Sequence, residues 1–149
     1  LGSRYGLEIR AAQAADAAGL AQLLAEAGRP QPAERLADSL DALRAGHGVA
    51  LIALEWGPPS GLVVLHWYRT LEEVRPVAQI TTLLVGPEQR RRGIGRMLLK
   101  AASQAARNAE CDTLQVLAPP DRPDLQGFCV ATGFAESGTS LVRPLRKGR

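Results

Sequence analysis

The residues in this chain whose types and spacing could do chemistry lie in one run, Arg90-Arg91-Arg92-Gly93-Ile94-Gly95-Arg96, which follows an apolar β-branched stretch and opens an amphipathic one. A strand, a glycine loop and a helix in that order make a cradle for phosphate. The first amides of a helix lack intrahelical acceptors, the helix dipole favours an anion beside them, and glycines let backbone approach an oxygen-rich ligand. Arginines add charge-assisted, often bidentate, hydrogen bonds. Two common phosphate ligands are excluded. A dinucleotide fingerprint needs a third glycine where Leu98 stands, and a nucleoside triphosphate loop needs a Gly-Lys-Ser/Thr ending that this chain lacks.

The run does fit Gln/Arg-x-x-Gly-x-Gly/Ala, and its surroundings add specificity: Leu83-x-Val85 before it, the Pro87-Glu88 turn, and a helix from Gly95 to Ala109. Downstream comes Phe128-Cys-Val-Ala-Thr-Gly133-Phe134. In these motifs, in this order, the chain resembles the GNAT acyltransferase superfamily, whose second motif often reads Phe-Tyr-Glu-x-x-Gly-Phe. The resemblance spans roughly Leu7 to Leu145, with the diagnostic residues between Ala78 and Phe134. It implies an α/β (α+β) fold in which a mixed central sheet of about seven strands carries helices on both faces. The implied activity is transfer of an acetyl group from acetyl-CoA, or another acyl-CoA, to a primary amine of a small molecule, peptide or protein, by direct attack in a ternary complex without a metal.

On this resemblance the acyl-CoA lies in an opening between the strand ending at Val85 and the strand Thr113 to Leu117. Its pantetheine arm would pair with backbone at Leu83, Leu84 and Val85, and the Leu84 amide would donate to the thioester oxygen, a contact that depends on geometry rather than side chain. Arg90, Arg91, Arg92, Gly93, Ile94 and Gly95 would take the pyrophosphate, mostly through backbone amides, with Arg96 beside them and turned toward solvent.

Acyl transfer to an amine needs a neutral nucleophile and a proton for the departing thiolate. The family often supplies a Glu near the reacting strand and a Tyr on the last helix, and the chain departs from it at both places. Ala78-Gln79-Ile80 stands where many members read Ala-Glu-Ile, and an amide accepts no proton at neutral pH. Cys129 occupies the tyrosine position. A thiol near ~8.5 could serve as the acid as well as a phenol near ~10, although cysteine also fills apolar contacts. The remaining base candidates are His66 at a strand end, whose residue type titrates near ~6.5, and Glu72 or Glu73 in the loop before the next strand. Trp56, Trp67 and Tyr68 could line an acceptor pocket or pack on the sheet. Without a strong base, a low-pKa acceptor is favoured: neutralising an amine of pKa ~10.4 at pH 7 costs about 4.6 kcal/mol, against about 1.4 for an α-amine near ~8.

These residues need elements to hold them. Leu7 to Arg10 alternates as a strand, and two amphipathic helices follow, through Leu20 to Ala27 and Leu36 to Leu43, ended by Gly28 and Gly46. Val49 to Trp56 and Gly61 to Tyr68 read as a hairpin around Gly57-Pro-Pro-Ser60, and Val77 to Val85 as the strand before the glycine loop. Thr113 to Leu117 is a further strand. Asp124 to Thr132 reads as a helix capped by Asp121 or Asp124, and Ala135 to Leu145 as a strand pair broken at Gly138.

Length and composition agree with one domain over 1–149: 149 residues and 46% apolar content suit a sizeable core and argue against disorder. No run approaches a membrane span, and two cysteines without a secretion signal read as free thiols, so a cytoplasmic protein is expected. Lysine occurs only at Lys100 and Lys147 amid many Arg and Ala, which points to a GC-rich bacterial genome. Residues 1–5 are expected to be a disordered start or a cloning remnant and 146–149 a solvated basic tail. Two rival functions stand beside the enzyme. Gln79 and Cys129 suit a module that binds acyl-CoA with weak or no turnover. The basic C-terminus would suit an enzyme acetylating aminoacyl-tRNA, but no basic stripe interleaved with aromatics supports a nucleic-acid partner. A homodimer is compatible with the sequence.

Overall fold

The computed structural model describes residues 6–87 and 93–146. The chain divides into two compact units, Leu1–Leu117 and Ala118–Arg149.

The first unit holds one five-stranded sheet in the order β1 (Glu8–Ala11), β2 (Gly48–Leu54), β3 (Gly61–Tyr68), β4 (Val77–Val85), β5 (Thr113–Val116). Neighbours are antiparallel up to β4, and β5 runs parallel to β4. A parallel neighbour needs a crossover, which α3 (Ile94–Asn108) supplies. The fold class is therefore the mixed α/β one expected, with five strands in the described residues.

Alternation along β2 and β3 sets two layers. Ala50, Ile52 and Leu62 are buried with Leu20, Leu23 and Leu40, and Leu54, Val64, Leu36 and Leu43 pack around them. One face of the sheet is thus covered by α1 (Ala17–Glu26) and α2 (Ala33–Ala45). Gly61, one step out of phase, belongs to the other face. A Cβ placed there would lie 2.8 Å from Leu98 Cδ1 and 3.1 Å from Ile94 Cγ2, so α3 crosses that face in close contact. Ile94, Leu98 and Ala102 recur every fourth residue and are buried.

A short 3₁₀ turn (Ala14–Asp16) joins β1 to α1, and Asp16 holds it. Its carboxylate accepts from both Arg10 terminal nitrogens at 3.0 and 2.9 Å and from the Gln13 amide at 2.8 Å. The guanidinium draws the Asp16 carboxyl below the usual carboxylate range.

The end of α3 shows how the first unit turns into β5. Glu110 adopts a left-handed φ of 67°, its amide bonds to Arg107 O, and the Cys111 amide bonds to Ala106 O, both at 2.9 Å. This is the double hydrogen bond that closes a helix at a left-handed residue, a position usually given to glycine.

In the second unit, α4 (Pro123–Ala131) places Pro123 in its first turn, where the missing amide hydrogen costs nothing. The same closure ends it: Gly133 has φ 107°, and the amides of Gly133 and Phe134 bond to Val130 O and Cys129 O. Arg122 is the N-cap, rather than Asp121 or Asp124, and no side chain caps the helix; Asp124 instead pairs with Arg122 Nε at 3.3 Å. The expected strand pair from Ala135 to Leu145 does not form, since residues 135–145 carry no helix or strand. Leu141 and Val142 are consecutive rather than alternating, Pro144 has no amide hydrogen to donate, and Leu141, Val142 and Leu145 stand exposed. No helix among the described residues is long and apolar enough to cross a membrane.

Candidate active site

The site is built on an irregularity in β4. Val64 pairs with Thr82 but Leu65 pairs with Ile80, so Thr81 is an extra residue, a β-bulge. The bulge shifts the phase of the strand by one residue. On β3 the Trp67 amide bonds to His47 O, so alternate residues Leu62, Val64 and His66 turn their backbone toward β4. Their partners Leu84, Thr82 and Gln79 turn toward β3, as does Gly86, whose amide bonds to Ser60 O at 2.8 Å. On the other edge, Ile80 O accepts from the Leu117 amide at 3.0 Å and the pairing with β5 ends there.

Beyond Ile80 β4 continues without a pairing to β5, and the backbone groups of Leu83 and Val85 turn away from β3. The Leu84 amide, however, points into the β3 ladder: counting by twos from Ile80 would aim Leu84 outward, and the bulge reverses that.

The end of β4 leads to α3. Gly93 caps that helix with φ 81°, a left-handed geometry natural to glycine, and Ile94 is buried against the sheet. The contact of Ile94 and Leu98 with Gly61, which pairs with Val85, puts the first turn of α3 beside the end of β4. The first amides of α3, from Ile94 onward, have no preceding helical turn to bond. Gly95 is half-buried and Arg96 exposed. Arg90, Arg91 and Arg92 lie outside the described residues.

On the face covered by α1 and α2, the same stretch of sheet carries a polar row. His66 lies opposite Gln79, and Gln79 opposite Gln115. Gln79 Nε2 donates to Gln115 Oε1 at 3.2 Å, and His66 Nε2 lies 3.1 Å from Thr81 Oγ1. Thr81 stands two residues after Gln79 on the same face, so its hydroxyl meets the imidazole of β3. Glu72 and Glu73 are exposed in the loop before β4, where the Glu73 amide donates to Thr70 Oγ1. Cys129 is buried in α4 of the second unit, and burial pushes its thiol above the ordinary range. Trp56, Trp67 and Tyr68 do not form one wall: Trp56 lies at the β2 end of the hairpin, Trp67 and Tyr68 at the far end of β3. Trp56 instead lines a cavity of about 490 Å³ with Gln22, Glu26, Glu55, Gly86 and Pro87.

A bulged strand whose pairing with β5 ends at Ile80 thus lies with its end beside the N-terminus of a helix. The model of the Acetyltransferase (GNAT) family matches residues 17–134. The chain belongs to the GNAT acetyltransferase family and is an acyl-CoA-dependent acetyltransferase.

Solved structures share the fold. A transcriptional regulator from Bacillus halodurans C-125 superposes with a TM-score of 0.83 at 20% identity, covering 93% of this chain and 99% of its own. A ribosomal-protein-alanine N-acetyltransferase from Brucella melitensis biovar Abortus 2308 gives 0.79 at 24%, with 93% and 99% covered. The aminoglycoside N-acetyltransferase AAC(6')-Iy in complex with CoA gives 0.79 at 23%, with 94% and 95% covered. No curated protein matches the chain.

Proposed function

We propose that this protein transfers an acetyl group from acetyl-CoA to a primary amine of low pKa by direct attack in a ternary complex. The observation that carries this is the stretch of β4 beyond Ile80, where pairing with β5 has ended, the Leu83 and Val85 amides turn away from β3, and the start of α3 lies beside the strand's end. Backbone of β4 pairs with the pantetheine arm, the amide of Leu83 or Val85 polarises the thioester carbonyl, and Gly93, Ile94 and Gly95 receive the pyrophosphate together with Arg90, Arg91 and Arg92. The CoA complex of AAC(6')-Iy supports this choice of donor.

The neighbours include enzymes named for a ribosomal-protein alanine and for aminoglycosides, so the acceptor class rests on this chain's own residues. No carboxylate stands at position 79, and His66 is the base candidate that lies on the polar row. A weak base suits an α-amine, whose deprotonation at pH 7 costs about 3 kcal/mol less than that of a lysine-like amine. Cys129 is the candidate acid for the leaving thiolate, and its raised range keeps it protonated at neutral pH. One domain over 1–149 is supported by a family match running from 17 to 134 through both units. Composition supports a bacterial, cytoplasmic setting.

The test is thiol release from acetyl-CoA across a panel of α-amines and lysine-like amines, with His66→Ala and Cys129→Ala alongside. Faster release with α-amines and a loss in His66→Ala are expected. A clear preference for lysine-like acceptors, or unchanged rates in both variants, overturns the assignment. A second reading, an acyl-CoA-binding module without turnover, is favoured by the Gln79–Gln115 amide pair, which leaves no carboxylate at the family's usual place. Calorimetric binding of acetyl-CoA with no thiol release from any amine would select it.

A further inference from the structure

His66 is placed on the wrong strand to reach the donor by itself. It belongs to β3, while the donor is proposed to lie along the far edge of β4, one strand spacing of about 4.8 Å away. The group that spans this distance is the Thr81 hydroxyl. Thr81 is the residue inserted by the bulge, two positions before Leu83, and its Oγ1 lies 3.1 Å from His66 Nε2. Gln79 lies opposite His66, and Thr81, two residues on, shares that face, as alternation along β4 places it. Gln79 cannot take the proton, and its amide is held by Gln115 at 3.2 Å. Opposite His66 on β2 stands Gly48, covered by Leu43 from α2, so no side chain of β2 competes for the ring.

We propose that Thr81 is a catalytic residue that relays the acceptor's proton to His66, an inference that rests on the acetyl transfer proposed above. As the amine nitrogen bonds to the thioester carbon, its proton passes to Thr81 Oγ1 while the Thr81 hydroxyl proton passes to His66 Nε2. The C–S bond then breaks, the sulfur leaves as thiolate, and the imidazolium returns its proton to water. The relay requires Thr81 to donate to Nε2, so the neutral ring carries its hydrogen on Nδ1.

Two measurements test it. The first needs no turnover: long-range ¹H–¹⁵N correlation spectra of the free protein at pH 8 report which ring nitrogen of His66 is protonated. An Nδ1–H tautomer whose Nε2 resonance shifts in Thr81→Val is expected; an Nε2–H tautomer overturns the relay even in an active enzyme. The second is kinetic. Thr81→Val keeps the β-branched shape and should lower kcat by about 100-fold, the lower range for a positioned proton acceptor, with KM for acetyl-CoA unchanged, while Thr81→Ser retains most activity. Because the two groups act in one path, His66→Ala combined with Thr81→Val should lose no more than either alone. Multiplying losses, or near wild-type kcat in Thr81→Val, overturns the relay. A wild-type protein that binds acetyl-CoA but acetylates no amine overturns the transfer reading as well, whereas turnover with an Nε2–H ring overturns only the relay.

Discussion

Gly61 is the point at which the sheet and the start of α3 meet, and Gly61→Ala tests whether that contact positions the helix. The added Cβ would lie 2.8 Å from Leu98 Cδ1, 3.1 Å from Ile94 Cγ2 and 3.2 Å from Leu84 O. The two side-chain atoms can move by a rotamer adjustment, but Leu84 O belongs to a strand paired on that side with β3. Relief therefore comes from shifting the first turn of α3 outward. Overpacking of this kind costs about 1–3 kcal/mol. At roughly 2–4 °C per kcal/mol for a chain of this size, a 2 kcal/mol loss lowers Tm by about 4–8 °C. The same shift moves the amides after Gly93, so the Kd for acetyl-CoA should rise several-fold beyond what the lower stability explains. Thermal unfolding and calorimetric titration below the transition read both effects. A variant with wild-type Tm and wild-type acetyl-CoA affinity would refute the claim that this contact sets the helix.

Three further outcomes follow from named contacts. Glu110→Gly should stabilise the protein by about 1 kcal/mol in urea unfolding, because Glu110 holds a left-handed φ of 67° where glycine is unstrained and its carbonyl contact to Arg75 is kept. Asp16→Asn should destabilise by about 1–3 kcal/mol at pH 7 through loss of the charge-assisted bonds to Arg10. Since the Asp16 pKa is lowered on folding, its contribution is present above the unfolded carboxyl range and is lost as pH falls through its folded value, so the two proteins should converge in stability at acid pH. Cys111 and Cys129 are both buried with raised thiol ranges, so a chromogenic disulfide reagent at pH 8 should react with neither until the chain unfolds; rapid labelling of the folded protein would contradict this placement.

The parts of the fold legible in the sequence are those set by local pattern. The period-2 runs of β2, β3 and β4, the four-residue spacing of Ile94, Leu98 and Ala102, and the glycines at the start of α3 and the end of α4 all announce themselves. What was not legible depends on partners distant along the chain. Nothing in Ile80-Thr81-Thr82 marks a bulge, since it exists only as a mismatch of register against Val64 and Leu65. That one residue decides that the backbone of Leu83 and Val85, rather than that of Leu84, turns away from β3. Ala135 to Leu145 erred in the opposite direction: its apolar residues suggested strands, but Leu141 and Val142 are adjacent and Pro144 cannot donate, so no ladder forms.

The central claim is that acyl-CoA pairs with the edge of β4 beyond Ile80, where the pairing with β5 ends. Residue-resolved amide hydrogen exchange, with and without saturating acetyl-CoA, measures this directly. The Leu83 and Val85 amides should exchange rapidly in the free protein and become protected when acetyl-CoA is added, while Thr82 and Leu84, already bonded toward β3, should be slow in both states. Unchanged exchange at Leu83 and Val85 under saturating acetyl-CoA would contradict the account.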